Sequence, residues 1–402
     1  MTQNAVTDRP RIRLKPKANA RGLRHGFPWV YANDIVTDRR TRKIAAGALA
    51  VLEDDKRAPI ALVAVNPESK IMCRVLDRDI DAQLTVDWFE TRLSRALALR
   101  ARLFDTPYYR LVHAEADGFP GVIIDRFGDV CVIQPNAAWA EAHLDLLTDA
   151  LVKVTGVTTV LKNASGRTRG LEGLDDVNLT LRDSAPVAPL PVPMNGATYM
   201  ADLTGGQKTG LFYDQRPNHA FAAGLVHSGA HVLDVFSHVG GFGLAMLAGG
   251  AEHALSVDGS APALELATKG ADASGFADQF RTRQGDAFDV LAQLGEEGAQ
   301  FDVVICDPPA FAPSRQALDA GLRAYERIAR LAASLVKPGG YLGLCSCSHA
   351  ADLGRFREAS SRGIGRAGRQ AQLIHTGFAG PDHPQLPQLA ESGYLKAVFY
   401  RL

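Results

Sequence analysis

Two spacings of apolar positions take turns along this chain, and the places where they change mark its organisation. From residue 1 to roughly 80, apolar runs of strand length stand between charged turns: "ALAVLED" and "PIALVAVNP" flank "DDKR", and "KIMCRVLDRD" follows. This stretch predicts a small β-rich domain. "TVDWFETRLSRALALRARLF" shifts to helical spacing, which predicts Trp88, Leu93, Leu97 and Leu99 near one face and the arginines largely opposite. "GVIIDRFGDVCVIQP" holds two apolar runs joined by "DRFGD", a hairpin signal. The helix "AEAHLDLLTDALVKVT" and the strand "TTVLKN" complete a middle α/β domain over 81–185.

Prolines at alternate positions in "SAPVAPLPVPM" (184–194) exclude a helix or a central strand. The segment reads as an extended connector into a hairpin, with Asn195-Gly196 as its turn, and 195–231 forms the hairpin and entry to a third domain over 186–402. There the strands "HVLDVFS", "HALSVDGS", "FDVVICDPP" and "GYLGLCSCS" alternate with helices. That alternation predicts an α/β, Rossmann-like fold: an open, mostly parallel sheet with helices on both faces.

The first turn of that sheet, "VLDVFSHVGGFGLAM", is not a G-x-G-x-x-G and holds no G-K-[ST], so neither a dinucleotide nor a nucleoside triphosphate is indicated. Asp234 followed by Gly240, Gly241 and Gly243 is an arrangement used for S-adenosylmethionine (SAM), whose ammonium an acid can accept. Asp258 ends the next strand, placed for ribose hydroxyls, and Asp286 in "QGDAF" is placed for an adenine amino group. Asp307-Pro308-Pro309-Ala310-Phe311 offers an acceptor, a stiff loop and a stacking face for a flipped base. This motif also serves enzymes that methylate exocyclic amines, so alone it leaves nitrogen and carbon targets open.

Cysteine chemistry bears on that choice. Carbon 5 of a pyrimidine becomes nucleophilic once a thiolate adds at carbon 6. Strand alternation sends Cys345 and Cys347 to one face, and Cys347 lies nearer the strand end, where ligands bind in such sheets. The five cysteines have no disulfide or zinc spacing, no apolar stretch reaches membrane length, and the N-terminus is charged; a cytoplasmic, metal-free protein is expected. Net charge is zero, yet residues 1–43 carry eleven Lys or Arg against three Asp, an asymmetry that suits a polyanion. Within that segment Arg24 stands beside Phe27, Trp29 and Tyr31, aromatics that suit stacking on bases or a small core.

These residues resemble the bacterial RlmI-like large-subunit ribosomal RNA 5-methylcytosine methyltransferases. The likeness runs from "RGLRHGFPWVYAND" through "LVHAEADGFPGVIIDRFGD", "GGQKTGLFYDQRPN", "VLDVFSHVGGFG", "SVDGSAPAL", "DPPAF" and "CSCS" to "GYLKAVFYRL". It implies an N-terminal PUA domain that binds RNA, a middle α/β domain, a class I methyltransferase domain, and SAM as methyl donor. It implies Cys347 as nucleophile, Asp307 and Pro308 with Phe311 at the base, and Phe212, Gln215 and Arg216 at the cofactor, with Arg24 and Lys208 contacting substrate. A homodimer is compatible with it. Two family features are absent, both at Ala310: a lysine after Asp-Pro-Pro in close relatives, and a release-assisting cysteine in a wider set. The rival expectations are methylation of a guanine or adenine amine with an inert Cys347, and an RNA-binding assembly factor without catalysis.

Overall fold

The computed structural model describes residues 9–205 and 210–402; Lys208 and the first eight residues of the basic segment fall outside them. The chain divides into two compact units, residues 1–185 with 384–392, and residues 186–383 with 393–402. The first unit holds two five-stranded sheets. β1 (Arg11–Arg13), β2 (Trp29–Tyr31), β3 (Ala48–Glu53), β4 (Pro59–Val65) and β5 (Ile71–Asp77) order as β1-β3-β4-β5-β2. Ile12, Leu23, Val30, Leu52, Val63 and Met72 are fully buried in that sheet's core.

The second sheet orders β10-β9-β8-β7-β6, from β6 (Tyr108–His113), β7 (Val122–Phe127), β8 (Val130–Pro135), β9 (Thr159–Lys162) and β10 (Leu179–Arg182). The helix Val86–Leu103 packs against it; its arginines lie largely outward as expected, Arg100 excepted, and Leu99 is not on the buried face. Leu99 is 41% exposed, while Arg100 is fully buried. The inward stripe runs Trp88, Phe89, Leu93, Ala96, Arg100, because a helix turn is 3.6 residues and Leu99 sits one position off it. Burial of Arg100 is offset by a two-pronged bond to Asp117 at 2.6 and 2.8 Å and a third bond to the Arg110 carbonyl at 2.9 Å. The single helix expected before β9 is two, Ala138–Ala142 and Leu144–Thr155. Between them the His143 ring bonds the Trp139 carbonyl at 2.7 Å, taking the acceptor that a continuing backbone would use.

In the second unit, β11 (Leu190–Met194) and β12 (Ala197–Ala201) form the expected hairpin, with Asn195 and Gly196 both at positive φ. The main sheet contains β13 (His231–Val235), β14 (His253–Asp258), β15 (Phe280–Gln284), β16 (Phe301–Cys306), β17 (Val336–Ser346), β18 (Gln372–Gly377) and β19 (Lys396–Arg401). Their order is β15-β14-β13-β16-β17-β19-β18, with β13 to β17 parallel and β19 antiparallel to both neighbours. Central strands covered on both faces read as unbroken apolar runs, as in "VVIC" of β16. The strand order reverses between β13 and β16, and at such a switch point a crevice opens beyond the carboxyl ends of the strands.

Replacing Arg100 with Met should leave the buried Asp117 carboxylate without its partner. The first unit should then lose about 3–5 kcal/mol, read as a lowered transition in scanning calorimetry.

Candidate active site

Asp234 lies in β13 on the crevice side of the sheet and is 1% exposed. Its Oδ2 accepts the Gly243 backbone N–H at 2.8 Å, tying the strand to the first turn of the helix Gly241–Ala248. Its Oδ1 is buried with no hydrogen-bond partner among the described residues, and so is Ser237 Oγ. Burial pushes the Asp234 carboxyl up to about 7, the nearby Asp258 pushes the same way, and the Gly243 and Phe242 N–H groups only partly oppose this. A buried carboxylate lacking a donor is costly, and a cationic, donor-bearing ligand would complete it. The turn itself is strained: Phe236, His238 and Gly240 all have positive φ, a conformation the first two adopt against their side chains. A side chain at Gly241 would meet His219 Nε2 at 2.8 Å, so the backbone there stays bare. These features fit SAM.

Asp258 ends β14 half-buried; its oxygens accept the His238 and Ser260 N–H groups, each at 2.8 Å. Asp286 is exposed and caps the helix Ala287–Glu296 through the Phe288 and Asp289 N–H groups, a local structural duty. Phe212 lies edge-on to His238 of the strained turn, ring centres 5.1 Å apart. Gln215 is buried, accepts from Asn218 at 2.6 Å, and hydrogen-bonds the Cys345 thiol, which burial raises despite that bond. Arg216 stands 5.4 Å over the Tyr213 ring; burial lowers its value while the buried Asp382 draws it back up. Arg24, in the first unit, pairs with Asp54 at 2.6 Å.

Across the switch point, the Asp307 N–H donates to the Val235 carbonyl at 3.1 Å, fastening the Asp-Pro-Pro loop beside β13. Pro308 is buried and Phe311 half-buried; the Phe311 ring packs among Tyr325 at 5.0 Å, Phe288 at 5.9 Å and Phe236 at 6.2 Å. Cys347 sits one residue past β17. Its flanking serines are pinned. Ser346 Oγ donates to Tyr325 Oη at 2.9 Å, Ser348 Oγ shares a 2.7 Å bond with the same hydroxyl, and Ser348 Oγ accepts the Ala312 N–H at 2.9 Å.

Lys396, opposite Ser346 in β19, completes the arrangement. It is 5% exposed and donates to the carbonyls of Ser348 at 2.7 Å and Ala351 at 2.8 Å. Burial draws its ammonium below the usual lysine value, while charge at Cys347 and Asp352 holds it up. The other four cysteines are buried. Burial pushes Cys73 and Cys131 up to about 12 and raises Cys306 and Cys345 as well, which leaves them inert thiols. Sequence reasoning missed Lys396, Tyr325 and His219. The one visible signal was a lysine inside the apolar run "YLKAVFY". Among the described residues no group of three or more His, Cys, Asp or Glu is placed to hold a metal, and no helix is long and apolar enough to cross a membrane.

The fold and crevice define a class I SAM-dependent methyltransferase, and residues 175–401 match the family described as S-adenosylmethionine-dependent methyltransferase, with a PUA-like domain matched over 12–78. The chain is 34% identical over 390 residues to ribosomal RNA large subunit methyltransferase I of Aliivibrio fischeri, covering 96% of this chain and 98% of that one. It is 36% identical over 385 residues to the enzyme of that name from Photobacterium profundum, covering 94% and 96%. It belongs to this family. A methyltransferase solved in complex with SAH superposes with a TM-score of 0.83, at 19% identity and over 98% and 100% of the two chains, a likeness of fold.

The raised Asp234 value fixes the sign of a pH effect. The protonated form is favoured in the folded chain, so the unliganded protein loses stability as the pH climbs from about 4 to 7. A cationic ligand should prefer the ionised form, so SAM affinity should rise several-fold between pH 6 and pH 8 in calorimetry. Asp234→Asn should bind SAM more weakly and flatten that rise.

Proposed function

We propose that this protein transfers a methyl group from SAM to carbon 5 of a cytidine in large-subunit ribosomal RNA, with Cys347 as the covalent nucleophile. The observation that carries the reading is the contrast among the thiols. Cys347 is partly exposed beyond a strand end, in a loop anchored by a buried ammonium, while the other four are sealed in cores. The ribosomal RNA substrate comes from the names of the relatives.

When bound, SAM supplies an electrophilic methyl group. Lys396 and the Tyr325–serine bonds hold Cys347 in place and favour its thiolate. The Cys347 sulfur adds to carbon 6 of the cytosine, and the electron density moves to carbon 5. Carbon 5 would take the methyl group as the sulfonium–methyl bond breaks to leave a neutral thioether; the carbon 5 proton then passes to water, and the carbon–sulfur bond breaks to return the thiolate. Asp307, just beyond β16, accepts from the cytosine amino group in this reading. The target base enters single-stranded or flipped from its stack.

Incubation with SAM and ribosomal RNA carrying 5-fluorocytidine should leave a denaturation-resistant protein–RNA adduct, because fluorine blocks the final elimination. Cys347→Ala should abolish both the adduct and 5-methylcytidine formation. Methylated guanine or adenine in the product, with no adduct, would instead assign the Asp-Pro-Pro loop to amine methylation and leave Cys347 inert.

Lys396→Met should move the pH profile of Cys347 alkylation by iodoacetamide to higher pH and slow it about tenfold at neutral pH, corresponding to about one pKa unit. Lys396→Arg should restore part of the rate.

A further inference from the structure

The helix Leu318–Ser334 follows the Asp-Pro-Pro loop and turns one face to Ser346 and Ser348 through Tyr325. Another face carries Arg323, Arg327 and Arg330, all exposed. Positions separated by four and three residues are neighbours on a helix, so these three guanidinium groups repel one another. None of the three has a carboxylate partner among the described residues. Glu326, one turn before Arg330, directs its carboxylate instead to Arg362, at 3.1 Å, and to Arg366 on the neighbouring helix Leu353–Arg366. A groove of about 480 Å³ lies between them, lined by Arg323, Arg327, Arg330, Arg366 and Glu326. Its one acid is already neutralised, so the groove is cationic.

The groove's place in the fold gives that charge a use. The Arg327 guanidinium lies 4.7 Å over the Phe288 ring, and Phe288 is 5.9 Å from Phe311 of the Asp-Pro-Pro loop. Phe311 in turn packs at 5.0 Å on Tyr325, which holds the serines around Cys347. The arginine stripe therefore flanks the candidate active site through two layers of rings. The stripe carries two acids at helical spacing, Asp319 four residues before Arg323 and Glu326 three after it, but Glu326 is taken by Arg362 and Arg366 and no ion pair with Asp319 forms among the described residues. Three like charges kept side by side point to a ligand that neutralises them.

We propose that this groove grips the phosphodiester backbone of the RNA strand flanking the target base, a contact surface additional to the basic N-terminal segment. The inference rests on the RNA-substrate reading above. Guanidinium groups in a row match successive phosphates of a single strand, and no base-specific contact is required of them.

The test uses the full-length protein, a fluorescein-labelled single-stranded RNA oligonucleotide, and the combined variant Arg323→Gln/Arg327→Gln/Arg330→Gln. Each lost phosphate contact should reduce the slope of log affinity against log salt by about 0.7, so the variant should lose about 2 in slope. Its KM for ribosomal RNA should rise tenfold or more with kcat nearly unchanged. SAM binding should be unaffected, and thermal stability should not fall, since the repulsion is relieved. The triple Lys variant should keep the wild-type slope, because point charges suffice for phosphate. A triple Gln variant with wild-type slope and KM would overturn the proposal, and so would a groove that serves an acidic protein, which leaves both unchanged. Loss of slope in a protein that makes no 5-methylcytidine would uphold the surface and sink the chemistry proposed for Cys347.

Discussion

One hydrogen bond organises the catalytic unit: the Gly243 N–H to Asp234 Oδ2, at 2.8 Å and fully buried. It joins the central strand β13 to the helix that follows it across a turn of only a few residues. Closing so short a turn forces Phe236, His238 and Gly240 into positive φ, a strain that the surrounding packing must hold. His219 fills the space against Gly241, ring to ring with Phe242 at 4.4 Å, and burial pushes its imidazole down to about 3. A histidine held neutral adds no positive charge beneath a turn meant for a cationic ligand. With the turn fixed, Asp234 keeps one oxygen bonded and leaves the other unmatched, which is what selects a donor-bearing guest.

A second constraint comes from the antiparallel insertion of β19 between β17 and β18. Without it, β17 would be the strand next to the sheet edge and the loop after Cys347 would hang on its own backbone. With it, Lys396 falls opposite Ser346 and reaches the two carbonyls that close the loop. Burying an ammonium is expensive unless its charge is answered; two carbonyls accept from it here, yet burial still draws it below the usual lysine value. The same group thus fixes the loop's shape and brings a positive charge to the strand end that carries Cys347.

The parts of this arrangement visible in the sequence are those set by local pattern. The runs "VLDV", "VVIC" and "YLGLC" announce buried parallel strands, and an acid or cysteine at the end of such a run falls on the crevice side whatever the rest of the chain does. Asn195-Gly196 specifies its own hairpin. Residues whose meaning depends on distant partners were silent. Lys396 needs the register of β17 on β19, and Tyr325 reads as one more apolar position of a helix until Ser346 and Ser348 meet it. Helical spacing cannot show that Arg100 is buried, because its partner Asp117 lies outside the helix. Asp286 has a local duty as well: its Oδ1 caps the helix that follows it, which leaves Oδ2 for any contact beyond the chain.

Zero net charge conceals how these charges are distributed. Asp258 and Asp307, with Asp234 buried between them and protonated below about 7 until a cation binds, disfavour a phosphodiester, so RNA gains nothing by bringing its backbone into the crevice. What such a crevice admits is a cation and the polar edge of a base. A nucleic acid bound there must therefore lie with its backbone outside and one base turned inward, which is the geometry that base-modifying enzymes use. Cationic groups are useful only where the backbone then runs, on the flank rather than in the crevice. On the proposed reading the arginines of the helix Leu318–Ser334 occupy that flank, while the tyrosine between them faces the opposite way, towards the serines around Cys347. A single helix would thereby separate the two tasks by facing: attraction on its outer side, positioning on its inner one.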